Sequence, residues 1–207
     1  MDLQRVGTGD LDRPPTRSAD GQLGRPDDSD QAADHLAVLL DGEGTDVLSL
    51  RGRAPVGAAS GVHEAELDAL VTQVRAWMDA GVGAGEIGVS ARFKKSCVKT
   101  VAHLKAAGLP SIPLRAVGTA GEAEAVRVGT MHSFKGLEFR CVGVVGVNGD
   151  ALPFLKPVTP ADMDPQQHEA NMMSERCLLF VACTRARDSL YVSWSGNPSP
   201  FLTEAGV

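Results

Sequence analysis

An α/β layered domain built on a parallel sheet is the fold class this sequence predicts. Three observations carry that expectation. Strand-like and helix-like periodicities alternate along the chain from His63 onward, residues 141–147 form an almost unbroken apolar run of the kind found in strands covered on both faces, and an amphipathic helical pattern precedes the first strand.

The elements follow in order. Leu67, Leu70, Val71, Val74, Trp77 and Met78 recur at the i, i+3, i+4, i+7 spacing of one helical face, so residues 63–80 predict a helix that Gly81 ends. Ile87, Val89 and Ala91 alternate as a strand. A helix over residues 95–107 comes next, stopped by Gly108 and Pro110, and residues 112–117 return as a strand. Val126, Val128 and Thr130 alternate again, the run 141–147 supplies a strand covered on both faces, and residues 168–185 form a further helix. Leu190, Val192 and Trp194 alternate as the last strand, after which Pro198 and Pro200 close the ordered region.

Composition sets the boundaries of this domain. Residues 1–34 hold eight Asp, four Arg and no aromatic side chain, too little apolar surface to offset the entropy of ordering, and are expected to be a disordered tail. Residues 35–62 are expected to be a linker punctuated by Gly42, Gly44 and Pro55, residues 63–202 the folded domain, and residues 203–207 a short tail. The tail carries −4 of the net charge of −6, which leaves about −2 on the rest, so any nucleic acid must be held by a local patch rather than by the overall field. No apolar run nears the roughly 18 residues of a membrane span and no basic-then-apolar leader begins the chain, which predicts a cytoplasmic protein with no membrane partner. Cys97, Cys141, Cys177 and Cys183 lie in apolar stretches without Cys-x-x-Cys spacing and are expected to be buried, reduced thiols. The five histidines show no helical i, i+4 pair, so no metal site is expected.

Two segments exceed this pattern. Residues 126–142 read VRVGTMHSFKGLEFRCV, and residues 175–196 read ERCLLFVACTRARDSLYVSWSG. In the first, Gly136 permits a tight turn after Lys135, and Glu138 follows on a loop at a strand end, where α/β domains place ligands. In the second, Arg185 and Arg187 stand at the end of the long helix. They either reach a phosphate on a facing domain or complement the helix dipole, the latter worth under about 1 kcal/mol. His132 is either a site residue or a core histidine, Glu138 either a ligand group or an ordinary surface carboxylate, and Phe134 either stacks on a base or fills an apolar gap. Arg92, Lys94, Lys95 and Lys99 gather where the first strand enters its helix, as a DNA-backbone patch or as a solvated helix face.

The first segment resembles motif V of the UvrD/PcrA/Rep-type superfamily 1 DNA helicases, a strand leading into T-x-H-x-x-K-G-L-E-F. The second is similar to their motif VI, E-R-x-L-x-(Y/F)-V-A-x-T-R-A-R before a strand. Residues from about 64 onward resemble, more weakly, the start of the same C-terminal RecA-like domain. The resemblance implies a RecA-like parallel sheet with helices on both faces. It implies that Arg185, with Arg187 beside it, acts at the γ-phosphate of ATP, that Gly136 and Glu138 bind the nucleotide, with Glu138 on the ribose, and that Thr130, His132 and Lys135 lie near single-stranded DNA. Phe134 departs from the small residue usual at its position. No Gly-x-x-x-x-Gly-Lys-Ser/Thr and no acidic pair in an apolar strand occur. ATP with Mg²⁺ is therefore expected to be bound mainly by an N-terminal RecA-like domain supplied in cis or in trans. The large domain that the family inserts before motif V is reduced here to residues 115–125. The expected function is the C-terminal half of an ATP-driven DNA helicase or translocase, inactive as an ATPase alone. The alternative is a non-catalytic remnant that binds only DNA or protein.

Overall fold

Apolar residues on both sides of a strand require cover on both sides, and the sheet is arranged accordingly. The structure, a computed structural model, describes residues 46–51, 62–114, 124–156 and 158–205. Strands β1 (Asp46–Arg51), β2 (Ile87–Ala91), β3 (Ser111–Pro113), β4 (Val126–Thr130), β5 (Phe139–Val145) and β6 (Ala186–Trp194) form one six-stranded sheet in the order β1-β6-β5-β2-β4-β3. Every pairing is parallel. Among the described residues four α-helices accompany it: α1 (Glu64–Asp79), α2 (Lys94–Ala106), α3 (Pro165–Cys183) and the single turn α4 (Pro200–Glu204).

The expected α/β class, with helices on both faces, is the observed one. Along β5, Cys141 and Val145 join a core with Leu67, Leu70, Val74 and Trp77 of α1 and Val101 and Leu104 of α2. Val142 and Val144 face the other way, into a core with Leu179 and Ala182 of α3 and Phe201 and Leu202 of α4. The two-residue period of a strand thus divides one apolar run between two cores. Trp77 pins α1 to the sheet by donating its indole N–H to Ser189 Oγ of β6 at 3.0 Å. Gly88 is set by contact rather than by backbone angle, because a Cβ there would stand 2.6 Å from the Phe139 ring that crosses β2.

Glu66, in the first turn of α1, is buried although charged. Its Oε1 accepts the Gly146 N–H at 2.7 Å and the Ser193 hydroxyl at 2.7 Å, and its Oε2 accepts the Ser195 hydroxyl at 2.8 Å. One carboxylate therefore ties the start of α1 to the ends of β5 and β6.

Several local expectations change. The strand expected at residues 112–117 is only Ser111–Pro113, at the sheet edge where a proline does not interrupt a ladder, and residues 115–123 lie outside the described residues. Pro198 and Pro200 do not close the domain. Pro200 instead opens α4 behind a Ser199 cap, and Phe201 and Leu202 are buried. Helix α3 starts earlier than residue 168, at Pro165, because Asp164 caps it by accepting the Gln167 N–H at 3.0 Å. Strand β1 lies in the stretch to which the sequence assigned no element. The expected disordered tail, residues 1–34, lies outside the described residues. No helix among the described residues is long and apolar enough to cross a membrane.

The cysteines divide. Cys97, Cys141 and Cys183 are buried and free, but Cys177 is free and exposed on α3, since that helix buries only its C-terminal turns. Burial pushes the Cys97 and Cys141 thiols up to about 11 and Cys183 to about 12. Thiolates are the reactive form, so titration of the native protein with a disulfide reagent near neutral pH is expected to detect one fast thiol, with the other three appearing only on unfolding. Three or four fast thiols in the native state would mean that the cores are open.

Candidate functional site

Parallel strands place all their C-terminal ends at one edge of the sheet and all their N-terminal ends at the other, and this divides the candidate residues. Thr130, the last residue of β4, is level with Ala91 at the end of β2. Phe139, the first residue of β5, pairs with Ala186 at the start of β6. Residues 131–138 therefore run from one edge to the other, with a 3₁₀ turn at Met131–Phe134. Thr130 and His132 lie toward the C-terminal edge, and Glu138 and Arg185 lie at the N-terminal edge.

At the N-terminal edge, the two segments meet at Arg185. Its Nη1 donates to the Leu137 carbonyl at 3.4 Å, and its own carbonyl accepts the Phe139 N–H at 2.9 Å, so it is bonded to both neighbours of Glu138. The rest of the guanidinium is held by the helix end: Nε donates to the Val181 carbonyl at 3.1 Å and Nη2 to Thr184 Oγ1 at 3.2 Å. Arg185 is half-buried, and no carboxylate pairs with it among the described residues. Its neighbour Arg140 is instead neutralised by Asp188 at 2.6 Å, which raises its pKa further. Glu138 is exposed beside this cation, and Gly136 turns the backbone at φ +79°, a conformation that L side chains rarely adopt.

Arg187 departs from expectation. The sequence placed both arginines at the end of a helix, but α3 ends at Cys183 with Thr184 as its cap, and β6 begins at Ala186. Pairing of Ala186 with Phe139 converts the segment to strand, so Arg187 is an exposed strand residue and Arg185 sits in the connection.

At the other edge, the Thr130 hydroxyl donates to Ser133 Oγ at 3.3 Å, and the Ser133 hydroxyl donates to the Thr130 carbonyl at 2.7 Å. His132 and Lys135 are exposed, which removes the core-histidine reading of His132. Phe134 is fully buried, with its ring centroid 5.1 Å from that of Phe139, so it fills an apolar gap and presents no face to a base.

The basic cluster also changes. Arg92 makes a bidentate ion pair with Glu175, at 3.0 and 2.6 Å, and Lys99 donates to the Val62 carbonyl at 2.9 Å. Lys94 and Lys95 remain as exposed cations on the first turn of α2, which has no side-chain cap and no acidic residue. The positive end of the helix dipole adds to their field. Sequence reasoning missed what adjoins them, a cavity of about 550 Å³ lined by Phe93, Lys95, Asp150, Phe154 and Lys156 among others. The signal available was two of the chain's six phenylalanines, each at most two residues from a lysine. Among the described residues, no group of three or more His, Cys, Asp or Glu is placed to hold a metal ion.

Comparison with known proteins follows the same segments. Residues 104–197 match the UvrD-like helicase C-terminal domain. An ATP-dependent DNA helicase PcrA of Staphylococcus epidermidis is 37% identical over 86 residues, covering 36% of this chain and 11% of the relative. The ATP-dependent DNA helicase Rep of Buchnera aphidicola subsp. Schizaphis graminum is 36% identical over 69 residues, covering 33% of this chain and 9% of that one. This chain thus spans about a tenth of the length of these curated relatives. A crystal structure of the C-terminal domain of a possible DNA helicase from Lactobacillus plantarum WCFS1 shares the fold with a TM-score of 0.56 at 21% identity, covering 84% of this chain and 90% of that one.

Proposed function

Residues 104–197 form a UvrD-like helicase C-terminal domain, and from that premise we propose that the chain is the C-terminal motor half of an ATP-driven translocase on single-stranded DNA, acting in the cytoplasm. The observation that carries this reading is the convergence on Arg185: a half-buried guanidinium without a carboxylate partner among the described residues, bonded on both sides of the exposed Glu138. A cation held in this way is suited to the charge that develops on a transferring phosphoryl group. Glu138, an acceptor-only group, suits the ribose hydroxyls. In this reading Arg185, with Arg187 nearby, faces the γ-phosphate, and Gly136 shapes the loop that carries Glu138. Thr130, His132, Lys135, Lys94 and Lys95 face the DNA backbone. These residues fit one side of a nucleotide, while the phosphate cradle and the Mg²⁺ ligands belong to an N-terminal RecA-like domain in cis or in trans. That bound ATP and Mg²⁺ would supply the phosphoryl-transfer chemistry, and this chain's part is to neutralise charge and grip the strand.

A second reading has its own observation. Arg185 also caps α3 through the Val181 carbonyl, as a purely structural arginine would, so a remnant without a motor role remains the competitor.

The isolated chain is expected to hydrolyse no ATP, with or without single-stranded DNA, because it supplies only one side of a two-domain site. Hydrolysis that co-purifies with the chain and survives Arg185→Ala would refute the two-domain assignment. Its affinity for single strands is expected to be weak and to fall steeply between low and physiological salt, since a small basic patch acts within an acidic chain. Fluorescence anisotropy over a salt series checks this, and binding indifferent to Lys94→Glu with Lys95→Glu would remove the patch.

A further inference from the structure

Helix α2 turns a cationic face with an apolar centre to solvent. Lys94, Lys95, Val98, Lys99, Ala102 and Lys105 are all exposed, Val98 by 69%. Four of the six lysines in the whole chain thus surround one exposed valine, and no aspartate or glutamate occurs between residues 94 and 107. By itself this arrangement is electrostatically unfavourable. Lys94 and Lys95 occupy the positive end of the helix dipole, and Lys95 and Lys99 repel across one turn. Lys99 donates to the Val62 carbonyl, a neutral acceptor, and the nearby carboxylate of Asp68 on α1 is paired with His103 instead. Among the described residues none of the four lysines forms an ion pair.

The chain carries the complement of this face ahead of β1. Residues 1–25 hold four Asp and four Arg and are neutral, whereas residues 27–43 hold Asp27, Asp28, Asp30, Asp34, Asp41 and Glu43 with no lysine or arginine. Leu36, Val38, Leu39 and Leu40 stand among these carboxylates. Acidic and apolar groups in one segment match cations around an apolar side chain on one helix. The length of chain permits the contact. Asp34 precedes Asp46 of β1 by 12 residues, a reach of up to about 40 Å. Helix α2 packs on Val126 and Val128 of β4, four strand spacings from β1, which is roughly 19 Å across the sheet with about 10 Å more for the helical layer. We propose that residues 27–43 dock on the exposed face of α2, their carboxylates on its lysines and their apolar run on Val98, and so shield that face from other polyanions. A nucleic acid satisfies the lysines but offers no aliphatic side chain to Val98, and the segment is tethered, which gives it an effective concentration of about a millimolar. The docking rests on charge, composition and reach alone. Only its consequence, competition for Lys94 and Lys95, rests on the single-stranded DNA reading above.

Zero-length carbodiimide cross-linking of the whole chain, read by mass spectrometry, tests the docking. Links should join residues 27–43 to the lysines of α2 far more than to the exposed Lys135 and Lys156, and should fade as salt rises. Val98→Ser, a change at an exposed position, should thin these links while every lysine remains, and melting confirms that the variant folds. In a mixture of unlabelled and isotope-labelled chains, each link should stay within one chain. Anisotropy with a labelled DNA single strand reads the shielding. Asp27→Asn, Asp28→Asn, Asp30→Asn and Asp34→Asn together should tighten binding roughly tenfold at low salt, and Val98→Ser should move it in the same direction. Links spread evenly over all six lysines overturn the docking, and links between differently labelled chains overturn it in favour of a second copy. Links to α2 with strand affinity unmoved by either variant overturn the shielding. If no variant binds DNA, the DNA reading fails, and the cross-links by themselves still decide the docking.

Discussion

When this chain is joined to a cognate N-terminal half that carries a P-loop, Arg185→Ala is expected to lower ATP turnover by about 10³-fold or more while nucleotide affinity changes far less. The P-loop and metal side hold the ground-state phosphates, whereas an arginine from the facing domain meets charge that appears only as the phosphoryl group transfers. Its loss should therefore fall on kcat, equivalent to about 4 kcal/mol of transition-state stabilisation. Arg185→Lys should not restore turnover, because an ammonium cannot reproduce the planar fork that meets phosphate oxygens in two parallel bonds. The competing structural role makes the opposite forecast. If Arg185 only closes α3, its replacement should lower the melting temperature with near-normal turnover, and lysine should serve well. Melting temperature, nucleotide affinity and turnover measured for both substitutions separate the two, and an active but destabilised Arg185→Ala complex would sink the catalytic role.

The largest expected effect on stability lies away from that site. Glu66→Ala should destabilise the domain by about 3 kcal/mol or more, because it leaves the Gly146 N–H and the Ser193 and Ser195 hydroxyls buried without their acceptor. For a chain of this size that corresponds to a drop in melting temperature of roughly 6–12 °C. Glu66→Gln should recover only part of it, since its amide turns a donor toward groups that themselves donate. Glu64 occupies the same helical turn but is exposed, so Glu64→Ala should change little. Equal melting temperatures for the Glu64 and Glu66 variants would show that the carboxylate clamp contributes nothing.

These two residues mark how far the sequence could be read. Arg185 was singled out by the resemblance of the long segment 175–196 to a helicase motif, whereas its own position left it open between a phosphate contact and a helix-end cation. Glu66 was not, since a glutamate in the first turn of an amphipathic helix looks the same whether it meets water or a sheet. Its partners lie 80, 127 and 129 residues away, a separation that no window of periodicity spans. The same holds for Arg92, which reads as one cation of a basic run until Glu175, 83 residues on, is brought against it. Phe134 was open between a base and a gap until Phe139 closed over it.

The sequence by itself determined the α/β class, the helical face of α1, the doubly covered β5 and the two segments that meet at the N-terminal edge. Each of these is written in spacing within a few turns or a single strand, where the 3.6 and 2.0 periods of the backbone sort side chains by face. Tertiary structure alone decided which charges remain available. Parallel register carries Arg185 to the flanks of Glu138, gives Arg92 to Glu175, moves Arg187 into β6 and leaves Lys94 and Lys95 uncovered. The physical reason is that a charge is free or neutralised according to what stands within about 4 Å of it, and in a parallel sheet those neighbours come from distant crossovers rather than from adjacent residues.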